Sequence, residues 1–377
     1  MIAFNTVNAR PAGKPGAEAD LADYVDSIAA GAGLTTRPLP VADEPSNLLV
    51  SHRANGNAPW LLFVSHLDTV DVAGMTIDPF AGEIRDGRVY GRGACDTKGS
   101  GAAMLWALMQ YQAQPDRPNN VAILFSVSEE FGKAGIVSFV ANDLPSLGGA
   151  PVGVIVGEPT ELQPVVAHNG VCRWRIRTEG VSAHSSEPGQ GRSAISMMVE
   201  VIRAIESRYI PNLTASHPLT GQARCSVNLI QGGSQINIIP DHCEIHVDRR
   251  LVPGEDPAEV LPAVEAVLDD VRRADPNVQV EQDKPYIDPA LDPATNEAWA
   301  AHVCRVLDGL GQPAAPCGAK FGAEASNFGQ VGVPAIVLGP GSIAQAHGGD
   351  EWLALEQLAL ACDVYLGIMK APTERRR

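Results

Sequence analysis

Short apolar runs that end abruptly in polar residues form the main pattern of this chain. The runs are residues 61–64, 121–127, 152–156 and 334–338. They are too short for long helices and have no helical period, which is typical of strands buried on both faces. The polar side chains that follow them are His66 with Asp68, Glu129 with Glu130, Glu158, and His347. Because open α/β sheets bind ligands beyond the carboxyl ends of their strands, we expect the chemistry at this edge.

The pattern changes in residues 170–285. Residues 172–178 alternate between polar and apolar side chains, as a half-exposed strand does. Further on, a helix is predicted from Asp256, whose carboxylate can cap it. The order strand, helix, strand, strand, helix, strand is ferredoxin-like. The sequence therefore predicts an α/β domain, a mostly parallel sheet with helices on both faces, that is interrupted by an inserted ferredoxin-like α+β domain. The first domain is assigned to residues 1–169 and 286–377, and the insert to residues 170–285.

Composition and charge narrow the class of protein. The 377 residues are 45% hydrophobic and 19% charged, which indicates a soluble globular chain of one large or two medium domains. The formal net charge is -16, so nucleic acid and anionic membranes are not expected as partners. The chain shows no basic and apolar leader and no apolar run of membrane-spanning length, so we expect a cytoplasmic protein. Seven cysteines without a close pair favour reduced thiols.

The polar residues at the strand ends favour a metal site. A lone His after a strand is more often structural, and a pair of Glu usually lies in a solvated loop, but their coincidence at one sheet edge favours joint function. The candidate ligands are His66, Asp96, Glu130, Glu158 and His347. Two imidazoles and three carboxylates suit two divalent ions bridged by one carboxylate, Zn²⁺ first, with Co²⁺ or Mn²⁺ as alternatives. Asp68 is expected to accept a hydrogen bond from His66, and Glu129 is left as a base for water activation.

Five motifs in a fixed order carry a family resemblance. They are SHLDTV at 65–70, GRGACDTKG at 91–99, SEE at 128–130, GEPT at 157–160 and AQAH at 344–347. Together they resemble the motifs of the aminoacylase/carboxypeptidase G family of two-metal amidohydrolases, over essentially the whole chain. The resemblance implies that His66 and Glu158 hold one metal, that Glu130 and His347 hold the other, and that Asp96 bridges them. It also implies that Glu129 is the general acid and base.

The same resemblance implies that the inserted domain is a lid. His184 resembles the lid histidine that stabilises the tetrahedral oxyanion and that, in dimeric relatives, reaches the site of the partner subunit. A homodimer through the lid is therefore expected. Asn237 and Arg250 resemble positions that hold the amide and the α-carboxylate of the substrate. A guanidinium fork suits a planar carboxylate and favours amino-acid derivatives over simple amides, although Arg250 could instead be a solvated charge at a strand end.

The substrate that the resemblance implies is a small N-acyl amino acid. Segments 157–164 and 338–347 are most similar to the members that hydrolyse N²-acetyl-L-ornithine to ornithine and acetate, a step of arginine biosynthesis. Glu324 matches a glutamate of those members, and we expect it to meet the side-chain amine of ornithine, unless it is a structural carboxylate at a helix start. Three other interpretations remain: a succinyl-diaminopimelate desuccinylase, a two-metal carboxypeptidase or dipeptidase, and a non-catalytic binding homologue. The last would normally have lost a ligand or the base, and none is missing.

Overall fold

The computed structural model describes residues 1–8, 14 and 16–374. The chain divides into two compact units. The first unit holds Met1–Val166, Asp292–Cys317 and Ala323–Arg377, and the second holds Ala167–Leu291 and Gly318–Gly322. The second unit therefore also takes a short segment, residues 318–322, that the sequence pattern did not assign to the insert. None of the helices in the described ranges is both long enough and apolar enough to cross a membrane.

The described residues form strands β1 to β20 and helices α1 to α8. The first ten strands are β1 (Thr35–Leu39), β2 (Asn47–His52), β3 (Trp60–His66), β4 (Ile84–Arg85), β5 (Arg88–Tyr90), β6 (Asn120–Ser126), β7 (Gly153–Val156), β8 (Val165–His168), β9 (Gly170–Glu179) and β10 (Ala183–His184). The others are β11 (Ser216–His217), β12 (Gly221–Gln222), β13 (Arg224–Gly232), β14 (Ile238–Ile239), β15 (His242–Leu251), β16 (Gln279–Gln282), β17 (Tyr286–Asp288), β18 (Cys317–Ala319), β19 (Ala335–Val337) and β20 (Trp352–Ala354). The α-helices are α1 (Ala17–Gly31), α2 (Lys98–Gln112), α3 (Ala134–Ser138), α4 (Ala194–Ala204), α5 (Val260–Ala274), α6 (Glu297–Gly309), α7 (Ala325–Gly329) and α8 (Leu355–Lys370).

The large sheet has the strand order β1-β2-β6-β3-β7-β19-β8-β18. Its central strands β6, β3, β7 and β19 run parallel, and antiparallel pairs flank them on both sides. The sheet confirms the α/β fold that the apolar runs predicted. The register places His66 opposite Ser126 and Val64 opposite Val156. Three central strands therefore end side by side, which brings the residues after them to one edge.

Both faces of the large sheet are buried, as the apolar runs require. Leu61 and Phe63 belong to a core cluster that includes residues of α1, α2, α6 and α8. Leu62 and Val64 point to the opposite face and are also fully buried. Phe63 packs edge-on against Tyr365 of α8, with ring centroids 5.8 Å apart. This packing holds the strand ends, and the side chains just beyond them, in fixed positions.

The second unit has its own antiparallel sheet and its own core. The strand order is β13-β15-β9-β16, and β17 also pairs with β9. In chain order the main elements are β9, α4, β13, β15, α5 and β16, which confirms the predicted ferredoxin-like pattern. Apolar residues of α4 and α5 form one core cluster with those of β9 and β15. The carboxylate of Asp256 caps a helical turn as predicted, accepting a hydrogen bond from the Ala258 N–H at 2.9 Å. This turn, Pro257–Glu259, is a 3₁₀ helix, and the α-helix α5 begins only after it, at Val260.

Candidate metal centre

His66 is the last residue of β3, and its ring is buried. Its Nδ1 lies 2.9 Å from the backbone oxygen of Asp68 and 3.5 Å from Oδ1 of the same residue. A carbonyl oxygen only accepts, so Nδ1 carries a hydrogen and Nε2 can present its lone pair to a metal. The ring is thus oriented as expected, but the nearer acceptor is the backbone of Asp68 and not the carboxylate that the sequence analysis assigned.

Asp68 is fully buried and organises the loop after β6. Its carboxylate accepts hydrogen bonds from Asn8 Nδ2 at 2.8 Å, from the Glu129 N–H at 2.9 Å and from the Glu130 N–H at 3.0 Å. Burial alone would raise the pKa of Asp68, but His66, whose Nδ1 also lies 3.5 Å from Oδ1, and the hydrogen bonds from Asn8 and Glu129 outweigh burial and lower the pKa. Asp68 is therefore an anion that fixes the backbone of both glutamates.

Asp96 ends a glycine-rich loop, residues 91–96, that leads into α2. Gly93 has a φ of +81°, and a Cβ at this position would lie 2.8 Å from the Lys98 side chain. Glycine is required here because other residues would meet both backbone strain and a collision. The peptide bond between Asp96 and Thr97 is cis. The loop turns tightly enough to place the buried Asp96 carboxylate beyond the end of β3.

Two groups of three donors meet at Asp96. The first triad is His66, Asp96 and Glu158, and the second triad is Asp96, Glu130 and His347; in each, one ligand atom per residue lies within 4.8 Å of the others. His66 Nε2 is 3.1 Å from Asp96 Oδ1 and 3.9 Å from Glu158 Oε1. His347 Nε2 is 3.3 Å from both Asp96 Oδ2 and Glu130 Oε1. Asp96 therefore offers one oxygen to each triad, as a bridging carboxylate does.

The electrostatics of this cluster favour bound cations. Burial and the charge of Asp96 raise the pKa of Glu158 well above its ordinary value, and burial raises the pKa of Glu130 to about 7. At Asp96, hydrogen bonds with His347 and His66 outweigh burial and lower the pKa. Hydrogen bonds with Asp96 and Glu130 raise the pKa of His347 to about 10. Three carboxylates and two imidazoles at these distances fit two divalent cations, which would replace the protons of the ligands.

Glu129 is next to the ligand Glu130 but belongs to neither triad. Its side chain is largely buried, and its Oε1 lies 3.5 Å from Lys133 Nζ. Burial raises the pKa of Glu129, although the charge of Lys133 opposes the shift. A carboxyl group with a raised pKa can accept a proton and return it near neutral pH. The environment of Glu129 therefore suits the role of general base that the sequence predicts for this residue.

Glu324 lies at the start of α7 and is fully buried. Its Oε2 accepts a hydrogen bond from Ser126 Oγ at 2.9 Å. Its Oε1 has no hydrogen-bond partner within the described part of the chain. Burial raises the pKa of Glu324 to about 8. These features are those of the structural alternative, and contact with a substrate amine stays a prediction.

The three candidate substrate residues of the insert lie in the second unit. His184 is exposed on β10, with its Nδ1 2.7 Å from Ser186 Oγ. Asn237 is close to it, because β10 pairs with β14 and the Asn237 carbonyl accepts from the Ser185 N–H at 3.0 Å. Arg250 lies on β15, where its Nε donates to Asp248 Oδ1 at 2.7 Å. The structure brings His184 and Asn237 together, and their roles and that of Arg250 remain predictions.

Some polar residues that contact the centre were not predicted. Asn8 reaches Asp68 across 60 residues of sequence, and no local pattern signals such a contact. Lys133 follows the SEE motif by three residues, and Glu351 follows His347 by four. Closeness to a ligand in the sequence was the only available signal for these two residues.

The motif pattern of Peptidase family M20/M25/M40 matches residues 62–371. The chain belongs to this family. An acetylornithine deacetylase of Myxococcus xanthus is 30% identical over 378 residues, which cover 97% of this chain and 93% of the relative. A probable carboxypeptidase of Aspergillus clavatus is 31% identical over 386 residues, which cover 96% of this chain and 80% of the relative.

The fold agrees with solved structures of the M20 family. The metallo-carboxypeptidase of Sulfolobus solfataricus superposes with a TM-score of 0.79 at 16% identity, over 98% of this chain and 97% of the other. As a member of the M20/M25/M40 family with both triads present, this protein is a metal-dependent hydrolase that uses two divalent ions. Its substrate is a small-molecule amide.

Proposed function

We propose that this enzyme removes the N-acyl group of an amino acid, with N²-acetyl-L-ornithine as substrate and L-ornithine and acetate as products. The observation that carries the proposal is the arrangement of Asp96, whose two oxygens face separate triads beside the buried Glu129. The Myxococcus xanthus relative, named as an acetylornithine deacetylase, supports the choice of substrate.

Each triad would hold one divalent ion, with Asp96 between them. Bound ions would lower the pKa of a water molecule and polarise the carbonyl of the amide. Zn²⁺ is the first candidate because imidazole and carboxylate donors suit it, and Co²⁺ or Mn²⁺ accept the same donors.

Glu129 would move the proton. It accepts a proton from the attacking water, whose oxygen bonds to the acyl carbon, and it gives that proton to the nitrogen as the C–N bond breaks. Its buried position and raised pKa support this double role, because the group is protonated and deprotonated in turn during one turnover.

The second unit would recognise the rest of the substrate. His184 would donate to the oxyanion, Asn237 would hold the amide, and Arg250 would bind the α-carboxylate through its guanidinium fork. The exposure of His184 and Asn237 supports these roles, since both side chains are accessible to a ligand. A homodimer through this unit is part of the same proposal.

A comparison of three substrates tests the proposal. Protein with a measured metal content is assayed on N-acetylornithine, N-succinyl-diaminopimelate and a set of dipeptides. We expect the highest kcat/KM for N-acetylornithine. Glu129→Ala should lower kcat by about 10²–10⁴-fold on the preferred substrate while the metal content stays unchanged. Retained turnover in this variant would contradict the role of Glu129.

The second candidate is a two-metal carboxypeptidase or dipeptidase. The similarity to the probable carboxypeptidase of Aspergillus clavatus favours it, because the same centre can hydrolyse a peptide bond as well as an N-acyl bond. In the three-substrate assay this candidate predicts dipeptides as the preferred substrates. That result would contradict an acylated amino acid as the preferred substrate, but it would remain consistent with a two-metal hydrolase.

A further inference from the structure

A buried ion pair joins two loops of the metal centre without supplying a ligand. Arg92 is 2% exposed and Glu351 is 1% exposed, and Arg92 Nη1 lies 2.9 Å from Glu351 Oε2. Neither residue belongs to a triad. Removing one partner of such a pair leaves an uncompensated buried charge, so the pair requires a physical explanation.

Glu351 binds the loop that carries Asp96. Its Oε2 also accepts from the Gly93 N–H at 2.9 Å, and its Oε1 accepts from the N–H groups of Cys95 and Asp96 at 2.7 and 3.0 Å. An ionised carboxylate can accept about four hydrogen bonds, and here all of them are used. The backbone of the bridging ligand Asp96 is therefore fixed directly by Glu351.

Arg92 binds the segment that carries His347. Its Nη2 donates to the carbonyl oxygen of Gly348, the residue after His347, at 3.2 Å. Its Nε donates to the carbonyl oxygen of Asp71 at 2.9 Å. The guanidinium therefore ties the His347 segment to the loop that Glu351 holds, and ties both to the chain just beyond Asp68.

The second triad depends on this connection more than the first. His66, in the first triad, ends a central strand, and strand pairing sets its position. His347 lies outside the named strands and helices, has a φ of 56°, and leaves 54% of its side chain exposed. Its position relative to Asp96 is set by loop contacts, of which the Arg92 bond to Gly348 is one.

We propose that the Arg92–Glu351 pair is a positioning device for the second metal ion, because it holds Asp96 and His347 at the spacing that this ion requires. Loss of the pair weakens metal binding at the second triad more than at the first. The inference rests on the proposed two-metal centre and extends it to residues that never touch the ions.

Metal titration of three variants tests the inference. Metal-free wild type, Glu351→Gln, Arg92→Lys and Glu255→Gln are titrated with Zn²⁺ against a chelating indicator, and thermal melting reports folding. Glu351→Gln keeps the size of the side chain but turns an amide NH₂ group toward N–H donors. We expect its second ion to bind about 10–100-fold more weakly, with a smaller loss of affinity for the first ion, to which Asp96 also offers an oxygen.

Arg92→Lys keeps the positive charge but removes the planar guanidinium group with its several N–H donors. One ammonium group cannot reach Glu351, Asp71 and Gly348 in the same geometry, so a smaller loss of affinity at the second ion is expected. Because the charge is retained, this variant also gives a measurement if Glu351→Gln folds poorly.

Glu255→Gln is the matched control. Glu255 pairs with the buried Arg249 in the second unit and accepts from the Val252 N–H at 2.8 Å, so it holds a loop that carries no metal ligand. The same change of charge in a similar ion pair should lower stability and leave both metal affinities unchanged.

Two results would overturn the inference. One is titration curves of Glu351→Gln and Arg92→Lys that superimpose on the wild-type curve. The other is an equal weakening of both ions in these variants and in Glu255→Gln, which would show a general structural effect. Failure of the wild type to bind any divalent ion would contradict the proposed function itself, which is a separate outcome.

Discussion

At the scale of single residues, two fully buried carboxyl groups show how neighbouring charges and hydrogen-bond donors decide ionisation. Asp68 accepts from an amide and from two backbone N–H groups, and it remains an anion. Glu324 accepts from one hydroxyl group, that of Ser126, and its pKa rises to about 8. Burial disfavours the charge at both sites, and only at Asp68 do the adjacent His66 and the hydrogen-bond donors compensate for it.

Glu324 should therefore make the folding stability depend on pH. In the unfolded chain it ionises near its ordinary pKa of 4.5, whereas in the folded protein it keeps its proton up to about pH 8. The stabilising contribution is complete below the unfolded pKa and is lost as the pH rises through the folded pKa. We expect the wild type to lose stability relative to Glu324→Gln between these two values.

Thermal melting of both proteins across this pH range measures the effect. The charged groups that act on Glu324 are Glu129, His66 and Lys133, and they are the same in both proteins. Glu297→Gln, at an exposed position at the start of α6, is the control and should follow the wild type. A constant difference in melting temperature between wild type and Glu324→Gln at every pH would contradict the prediction.

At the scale of elements, the centre depends on how the loop before α2 meets that helix. A Cβ on Gly99 would overlap the carbonyl oxygen of Ala94 and would lie 2.5 Å from the Leu353 side chain. The first turn of α2 therefore packs directly on the loop that ends in Asp96, which explains a glycine inside a helix. The glycine-rich sequence signals a tight turn, but only the packing shows which glycine is needed for contact.

Gly99→Ala should displace the loop and weaken the metal centre. We expect a loss of about 1–3 kcal/mol in the free energy of unfolding, typical of overpacking, together with weaker metal binding because Asp96 moves. Gly31→Ala is the matched control, since a Cβ at this position in α1 meets no atom within 4 Å. The control should change stability by less than about 1 kcal/mol and leave metal binding intact. Equal metal affinity in both variants would disprove the packing argument.

At the scale of the whole molecule, the metal centre belongs to one unit although its ligands range from His66 to His347 in the sequence. The second unit interrupts that sequence and has its own sheet and core. Folding of the first unit brings distant chain segments together at the metal centre. Bound ions therefore stabilise only the folded chain, because the site does not exist before these segments have come together.

Metal ions should therefore raise the melting temperature. An ion that binds only the folded protein adds about 2.7 kcal/mol of stability at a free concentration of 100 times its Kd. We expect chelator-treated protein to melt at a lower temperature than protein with added Zn²⁺. His347→Ala should keep part of the increase, because the first triad remains, and His242→Ala, at an exposed position in the second unit, should keep all of it. Identical melting with and without metal would contradict the two-ion centre.

The sequence alone determined the α/β fold and the ferredoxin-like order of the insert. Both follow from local patterns, since the spacing of hydrophobic residues along the chain differs between strands and helices. The sequence also indicated that the candidate metal ligands after these strands lie near one another, because parallel strands present their carboxyl ends at one edge of the sheet. His66 and Glu158 were predictable for this reason, as polar residues just after apolar runs.

Only the tertiary structure decided how those donors are held. It showed that Asn8 binds Asp68, that the backbone of Asp68 orients His66, and that Glu324 is fully buried. It also paired Arg92 with Glu351 across 259 residues. Such contacts join residues that are far apart in sequence, and their energies depend on burial and on the donors nearby. No local sequence pattern specifies these contacts, because they form only when the chain has folded.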